Sequence, residues 1–134
     1  MARRLIIDTG VLIASERTDA ALGDVVEEDD DLVIAAITVA ELRTGIELAS
    51  EGHRANRSEF LVRVLETLPV EPYELTTAEA HGRLLAHVHR SGTKRSAHDL
   101  VIAATAAATR RIILTGDRST RFGDLPGVEC VTVS

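Results

Sequence analysis

Short aliphatic runs alternate along this chain with segments whose apolar residues recur at helical spacing. Strands are predicted at the short runs, which occupy residues 5–7, 32–37, 70–75, 112–114 and 128–133. Pro72 lacks an N–H, so the strand at 70–75 is expected at an edge of the sheet. Helices are predicted from residue 11 and over residues 18–28, 38–48, 53–68 and 77–90. Strands that alternate with helices favour right-handed crossovers, and therefore an α/β fold with a mostly parallel sheet.

The segment from Ser96 to Arg110 is the most apolar helix candidate. Every residue in 100–108 except Thr105 is apolar, and five of these nine are alanine. A helix that is apolar on all sides must be buried. Asp99 stands directly before this run, so its carboxylate is carried to the edge of the core, where an unpaired charge is costly. Its partner is either the helix N-terminus or a metal ion shared with other carboxylates.

Three helices are predicted to begin with a capping box, in which a hydroxyl side chain is followed three residues later by an acid. The pairs are Thr38 with Glu41, Thr76 with Glu79, and Ser96 with Asp99. Asp8, at the end of the first strand, has the comparable structural interpretation of a turn former or a helix cap. Each of these acids taken alone therefore has an explanation without chemistry.

Taken together, four acids indicate a metal site. Asp8 and Asp117 follow predicted buried strands, and Glu41 and Asp99 lie where helices begin. The carboxyl ends of parallel strands share one edge of a sheet, where ligands bind. Carboxylates that converge there repel one another unless a divalent cation neutralises them, and ligands that are all oxygen favour Mg²⁺ or Mn²⁺ over zinc. Such an ion activates water and stabilises charge on a phosphate.

Composition narrows the function further. The 134 residues suit one domain, residues 1–134, and the aromatic content of 2% requires an aliphatic core. A net charge of −6 argues against a non-specific coat on nucleic acid, and the aromatic side chains that might stack on bases are Phe60, Tyr73 and Phe122. Nucleic-acid chemistry would therefore need a focused site. Cys130 is the single cysteine, which excludes an internal disulfide and fits a reducing cytoplasm.

Four motifs resemble the PIN-domain family, and most closely its VapC-type toxin ribonucleases. They are D-T-G-V-L-I from Asp8, T-V-A-E-L-R-T-G from Thr38, H-D-L-V-I-A-A-T-A from His98, and L-T-G-D ending at Asp117. The resemblance covers the whole chain in order and length. It implies a three-layer α/β/α fold and an Mg²⁺- or Mn²⁺-dependent endoribonuclease that acts as the toxin of a toxin–antitoxin pair. It also implies a homodimer, and a cognate antitoxin with a segment in the active-site groove.

Carried over by position, the catalytic and metal-binding acids of the family fall on Asp8, Glu41, Asp99 and Asp117, with Thr9 as a supporting hydroxyl and Thr115 in a similar role. The chain departs from the family at Gly10, His98 and Ser119, where serine or alanine, asparagine and aspartate are respectively common. Arg43, Arg118 and Arg121 are either phosphate contacts or surface charges.

Other families and functions can be weighed against the VapC-type ribonuclease. A phosphoacceptor receiver domain would need paired acids after the first strand and a late lysine, and a haloacid-dehalogenase-type phosphatase would need Asp-x-Asp where Gly10 stands. Neither pattern is present. A dormant PIN-like protein that acts by binding a partner, and an RNA-processing nuclease without a toxin role, are the alternatives left open.

Overall fold

Five parallel strands form the sheet at the centre of the structure, a computed structural model that describes residues 2–17, 26–116 and 118–133. The strands are β1 (Arg4–Ile7), β2 (Asp31–Ala35), β3 (Val70–Glu71), β4 (Ile112–Thr115) and β5 (Glu129–Thr132). Their order across the sheet is β3-β2-β1-β4-β5, and every neighbouring pair is parallel. This confirms the predicted parallel sheet and places the first strand at its centre.

Helices cover both faces of the sheet. They are α1 (Thr9–Arg17), α2 (Ala36–Leu48), α3 (Glu51–Thr67), α4 (Leu75–Ser91) and α5 (Ala97–Thr109), with 3₁₀ turns at Arg118–Thr120 and Phe122–Asp124. Successive strand residues point to opposite faces. Ile6 therefore lies in a core formed with α4 and α5, and Ile7 lies in a second core formed with α1, α2 and α3. The architecture is the expected three-layer α/β/α arrangement.

Helix α5 is buried as its composition predicts. Leu100 and residues 102–106 are buried, and the hydroxyl of Thr105 donates a hydrogen bond to the Val101 carbonyl within the same helix. Its amino end begins at Ser96, whose hydroxyl accepts a hydrogen bond from the Asp99 N–H at 3.4 Å. Gly92, with φ of 70°, ends the preceding helix in the left-handed conformation that glycine tolerates.

Two of the three predicted capping boxes are wrong. Strand β2 passes directly into α2, with the extended Ala35 as the residue before the helix, so Thr38 lies inside the first turn and does not cap it. Helix α4 begins at Leu75 rather than at Thr77, and the hydroxyl of Thr77 accepts a hydrogen bond from the Glu74 N–H at 3.1 Å. The residue before the helix is Ala35 rather than Thr38 in the first case and Glu74 rather than Thr76 in the second, so both helices begin earlier than the hydroxyl–acid pattern indicated.

Strand and helix limits differ elsewhere for similar reasons. The strand predicted at 32–37 ends at Ala35, and the one at 70–75 is only Val70–Glu71, at the edge of the sheet. Pro72 follows it directly and has no N–H to extend the ladder. The helix predicted over 18–28 lies mostly outside the described residues, and residues 26–30 are not helical. None of the described helices is long and apolar enough to span a membrane.

Candidate active site

Asp8 lies at the carboxyl end of β1, the central strand. Its side chain is buried, and Thr115, at the end of the neighbouring strand β4, donates a hydrogen bond from its hydroxyl to Asp8 Oδ2 at 3.0 Å. The Asp8 N–H donates to the Leu114 carbonyl at 2.9 Å. The pairing of β1 with β4 therefore fixes both the backbone and the carboxylate of Asp8.

Two threonines hold Glu41 beside the end of β1, and one of them, Thr9, directly follows Asp8 in the chain. The hydroxyl of Thr9 donates to Glu41 Oε1 at 2.8 Å and lies 3.0 Å from the hydroxyl of Thr38. A hydroxyl has one proton, so Thr38 must be the donor to Thr9. The result is a chain of hydrogen bonds from Thr38 through Thr9 to Glu41, and both threonines are buried. Sequence reasoning missed Thr38, because its spacing from Glu41 suits a helix cap equally well.

The amino end of α5 brings Asp99 to the same region. His98 Nδ1 lies 3.4 Å from Glu41 Oε2, an ion pair whenever the imidazole is protonated. Asp99 follows His98 in the first turn of α5 and is partly buried. Glu41 thus contacts the sequence neighbours of both Asp8 and Asp99, and the structure brings these three predicted acids to one edge of the sheet.

Asp117 lies outside the described residues. The segment after it is held by Arg95, whose guanidinium donates to the Thr120 and Arg121 carbonyls from the loop before α5. The sequence did not indicate a role for Arg95, because a contact between residues 25 positions apart leaves no local pattern. Of the arginines considered for phosphate contact, Arg43 lies 3.6 Å from Glu47 and Arg121 lies 2.8 Å from Asp124. The side chain of Arg118 is outside the described set.

The donor set suits a hard divalent cation. Asp8, Glu41 and Asp99 offer oxygen only, and Thr115 and Thr9 hold two of the carboxylates by hydrogen bonds, as outer partners of metal ligands do. In the described part of the chain these three acids do not form a group with all ligand atoms within 4.8 Å of one another. Mg²⁺ keeps several of its waters, so ligation partly through water accommodates wider spacing.

Another acidic group does meet that distance. Glu27, Asp29 and Asp30 lie just before β2, at the opposite edge of the sheet from the carboxyl end of β1. Asp30 there forms an ion pair with Arg3 at 2.7 Å. This group therefore has a local cationic partner and is separate from the predicted site.

A cleft of about 570 Å³ opens beside Glu41. It runs between the three helices on that face of the sheet. Its lining comprises Ile13 and Glu16 of α1, Glu41, Leu42 and Gly45 of α2, and His53, Asn56, Arg57 and Phe60 of α3. Glu41 belongs both to this wall and to the group of acids, so the cleft continues from the acidic site.

Comparisons with known proteins point to one family. Residues 5–126 match the PIN domain. Ribonuclease VapC5 of Mycobacterium tuberculosis is 34% identical, over 96% of this chain and 92% of its own length. The fold matches the crystal structure of VapBC-5 from the same organism, a member of the VapBC family of toxin–antitoxin systems, with a TM-score of 0.77 at 29% identity over 97% of this chain and 98% of that one.

A more distant structure supports the fold alone. VapBC2 from Rickettsia felis, solved bound to a DNA fragment from its promoter, gives a TM-score of 0.87 at 17% identity, covering 98% of this chain and 99% of that chain. PIN-domain nucleases generally use a divalent metal ion, which agrees with the oxygen donors described above. The match over residues 5–126 and the 34% identity over nearly the whole chain show that this protein belongs to the PIN domain family and is of the VapC type.

Proposed function

We propose that this protein is a metal-dependent endoribonuclease that hydrolyses RNA phosphodiesters and acts as the toxin of a toxin–antitoxin pair. The observation that carries the proposal is the position of Glu41 in a chain of the PIN family. Its carboxylate accepts a hydrogen bond from Thr9, the residue after Asp8, and lies 3.4 Å from His98, the residue before Asp99. Residues 1–134 act as one PIN domain, of which the family match covers 5–126.

Asp8, Asp99 and Asp117 hold Mg²⁺ or Mn²⁺, directly or through water. When bound, the metal supplies an activated water and stabilises the charge that develops on the phosphate. Glu41 orients or deprotonates the attacking water, or helps hold a second ion. The hydroxyl of Thr115 keeps Asp8 Oδ2 in place, and that of Thr9 keeps Glu41 Oε1 in place. The amino end of α5 directs its positive dipole end toward the anionic centre.

An antitoxin is the expected protein partner, because the solved relatives include VapBC toxin–antitoxin complexes. We propose that a segment of the antitoxin covers the active-site groove and that the protein is a homodimer in the cytoplasm. The alternatives, a dormant partner-binding protein and an RNA-processing nuclease without a toxin role, differ in what they predict. The first cuts no RNA, and the second cuts RNA without arresting growth when it is expressed.

The decisive test is cleavage of a labelled structured RNA by the purified protein with Mg²⁺, Mn²⁺ or a chelator, beside Asp99→Asn. We expect metal-dependent cutting that the variant loses by more than the roughly 10–100-fold typical of residues that only support a ligand. The variant should stay folded or gain stability, because the substitution removes one negative charge from a group of carboxylates that repel one another. Glu79→Gln, which removes an exposed carboxylate from α4, is the matched control and should cut normally.

Binding of Mn²⁺ separates the remaining outcomes. A folded wild type that binds Mn²⁺ but cuts nothing would indicate that the RNA substrate was not supplied. A protein that neither binds Mn²⁺ nor cuts would support the dormant, partner-binding reading. Full cleavage by Asp99→Asn would contradict the assigned role of that carboxylate.

A further inference from the structure

The cleft beside Glu41 combines an apolar floor with polar walls of two kinds. Ile13, Leu42 and Phe60 supply the apolar surface. Carboxylates lie on the side of α1 and α2, from Glu16 and Glu41. Donor groups lie on the side of α3. A cavity of this size and mixture is typical of a site for a small organic group rather than of a void between helices.

The donor side of the cleft is built on one face of α3. His53, Asn56 and Arg57 are three and four residues apart, so they lie on the same face of the helix. Arg57 NH1 donates to the Gly45 carbonyl of α2 at 2.9 Å, which holds the guanidinium across the gap while its other N–H groups stay available. The side chains of Asn56 and Glu16 make no hydrogen bond within the described ranges, so both can serve an occupant.

The side chains that line the cleft favour some ligands over others. Away from the metal that would neutralise the reaction centre, the carboxylates on this wall would repel a phosphate, so the cleft suits another part of the nucleotide than its backbone. A nucleobase suits it, because a base is flat and apolar on its faces and carries both donors and acceptors on its edges. Guanine matches best, since arginine recognises its O6 and N7 and a carboxylate can accept from its N–H groups.

The cleft also adjoins the proposed reaction centre. Glu41 is part of the proposed reaction centre and of the cleft wall. When a phosphodiester lies at the carboxylates, the nucleotide next to it is within reach of the cleft that Glu41 lines. RNA-binding proteins read unpaired bases by stacking and by hydrogen bonds to base edges, and this cleft offers apolar surface for the first and Asn56 and Arg57 for the second.

We propose that this cleft binds the base of the nucleotide that flanks the cleaved phosphodiester, and so determines which base stands beside the cut. This inference rests on the proposed ribonuclease function. Arg57 and Asn56 act as specificity-determining residues on one wall, and Glu16 completes the recognition on the other.

The test is cleavage of a single-stranded RNA pool with ten randomised positions, followed by sequencing of the new ends. Wild type should prefer one base, guanine by expectation, at a fixed position beside the cut by about tenfold, and Arg57→Gln should lose most of that preference. Asn56→Ala should weaken it without touching the bond between α2 and α3. Arg54→Gln is the matched control, because Arg54 also donates from α3 to the end of α2, at the Ala49 carbonyl, but does not line the cleft.

Binding is measured separately from cutting, in an Asp8→Asn background, by fluorescence anisotropy with the preferred oligonucleotide and with the same oligonucleotide changed at the flanking base. The two affinities should differ, and Arg57→Gln should make them equal. A melting curve for each variant shows that the protein is folded.

Three results would overturn the inference. A preference that survives unchanged in Arg57→Gln and Asn56→Ala would show that the cleft does not read RNA and would leave it to a protein segment. An equal loss of cutting on all sequences would indicate a role in catalysis or folding instead. A wild type that cuts no RNA would contradict the proposed function itself, and this cleft assignment with it.

Discussion

Thr9 is the residue on which the geometry of the site depends most directly. It follows Asp8 in the chain, receives a hydrogen bond from Thr38 and donates one to Glu41. Buried hydroxyls in such a chain are costly to leave without partners. The side chain therefore couples the central strand to α2 and sets the position of a carboxylate that is not its neighbour in sequence.

Thr9→Val tests this coupling. Valine has nearly the same shape but cannot donate, so Glu41 loses a fixed orientation and Thr38 loses its acceptor. We expect RNA cleavage to fall about 10–100-fold, as for other residues that orient ligands. We also expect the free energy of unfolding to fall by about 1–3 kcal/mol. Cleavage rates and urea unfolding measure the two effects.

Thr9→Ser is the control for that change, because serine keeps the hydroxyl and should recover most of the activity. A valine variant that cuts RNA as fast as wild type would show that Glu41 is positioned by its own helix and not by Thr9.

At the scale of elements, α5 is buried in the core of the protein and also carries Asp99 in its first turn. Ala103 and Ala104 are completely buried, and the helix packs into the core formed with α4 and one face of the sheet. The small side chains let α5 approach its neighbours closely. Its amino end then places His98, the residue before Asp99, 3.4 Å from Glu41. The position of the acid is therefore linked to the packing of the helix.

Ala103→Leu should destabilise the protein, because added side-chain volume in a filled core forces strain of about 1–3 kcal/mol. Urea unfolding measures the loss. Ala55→Leu, at an exposed position of α3, adds the same atoms without entering the core and should leave the free energy of unfolding nearly unchanged. Equal stability of the two variants would show that α5 has room for larger residues.

At the scale of the whole molecule, the ion pair of Arg3 with Asp30 joins the segment before β1 to the segment before β2. Arg3 donates two hydrogen bonds to Asp30, at 2.7 and 3.0 Å. The hydrogen bond from Arg3 holds the pKa of the Asp30 carboxyl below its usual value. The same pair raises the pKa of Arg3, which changes stability only above the usual arginine range.

Because the folded pKa of Asp30 is lowered, its contribution to stability is present above the pKa of an unfolded aspartate, about 4, and is lost as pH falls through the lower folded value. We expect wild type to lose more stability between pH 7 and about pH 3 than Asp30→Asn does, in urea unfolding at each pH. Asp29→Asn, one position away, should keep the wild-type slope. Parallel curves for wild type and Asp30→Asn would show that the pair does not contribute.

Local sequence patterns predict most of the strands and helices of this fold. Short aliphatic runs specify β1, β2 and β4, the alanine-rich run specifies a buried α5, and Gly92 marks the end of α4. These features depend on interactions between residues a few positions apart, so they leave a pattern in the local sequence. Element limits were less predictable: the strand predicted at 32–37 ends at Ala35, because an apolar run does not by itself show where a strand gives way to a helix.

Local sequence patterns identify the acids of the site but not the contacts that hold them in place. The sequence alone determined the family and the candidate acids Asp8, Glu41, Asp99 and Asp117, because the motifs that carry them are contiguous. Only the tertiary structure decided that Thr38 supports the site and does not cap a helix, that Arg95 holds the segment beyond Asp117, and that α1, α2 and α3 enclose a cleft at Glu41. The contact between Thr9 and Thr38 spans 29 residues and that between Arg95 and Arg121 spans 26. Such partners are set by the order of strands across the sheet, which brings together residues that no local pattern relates.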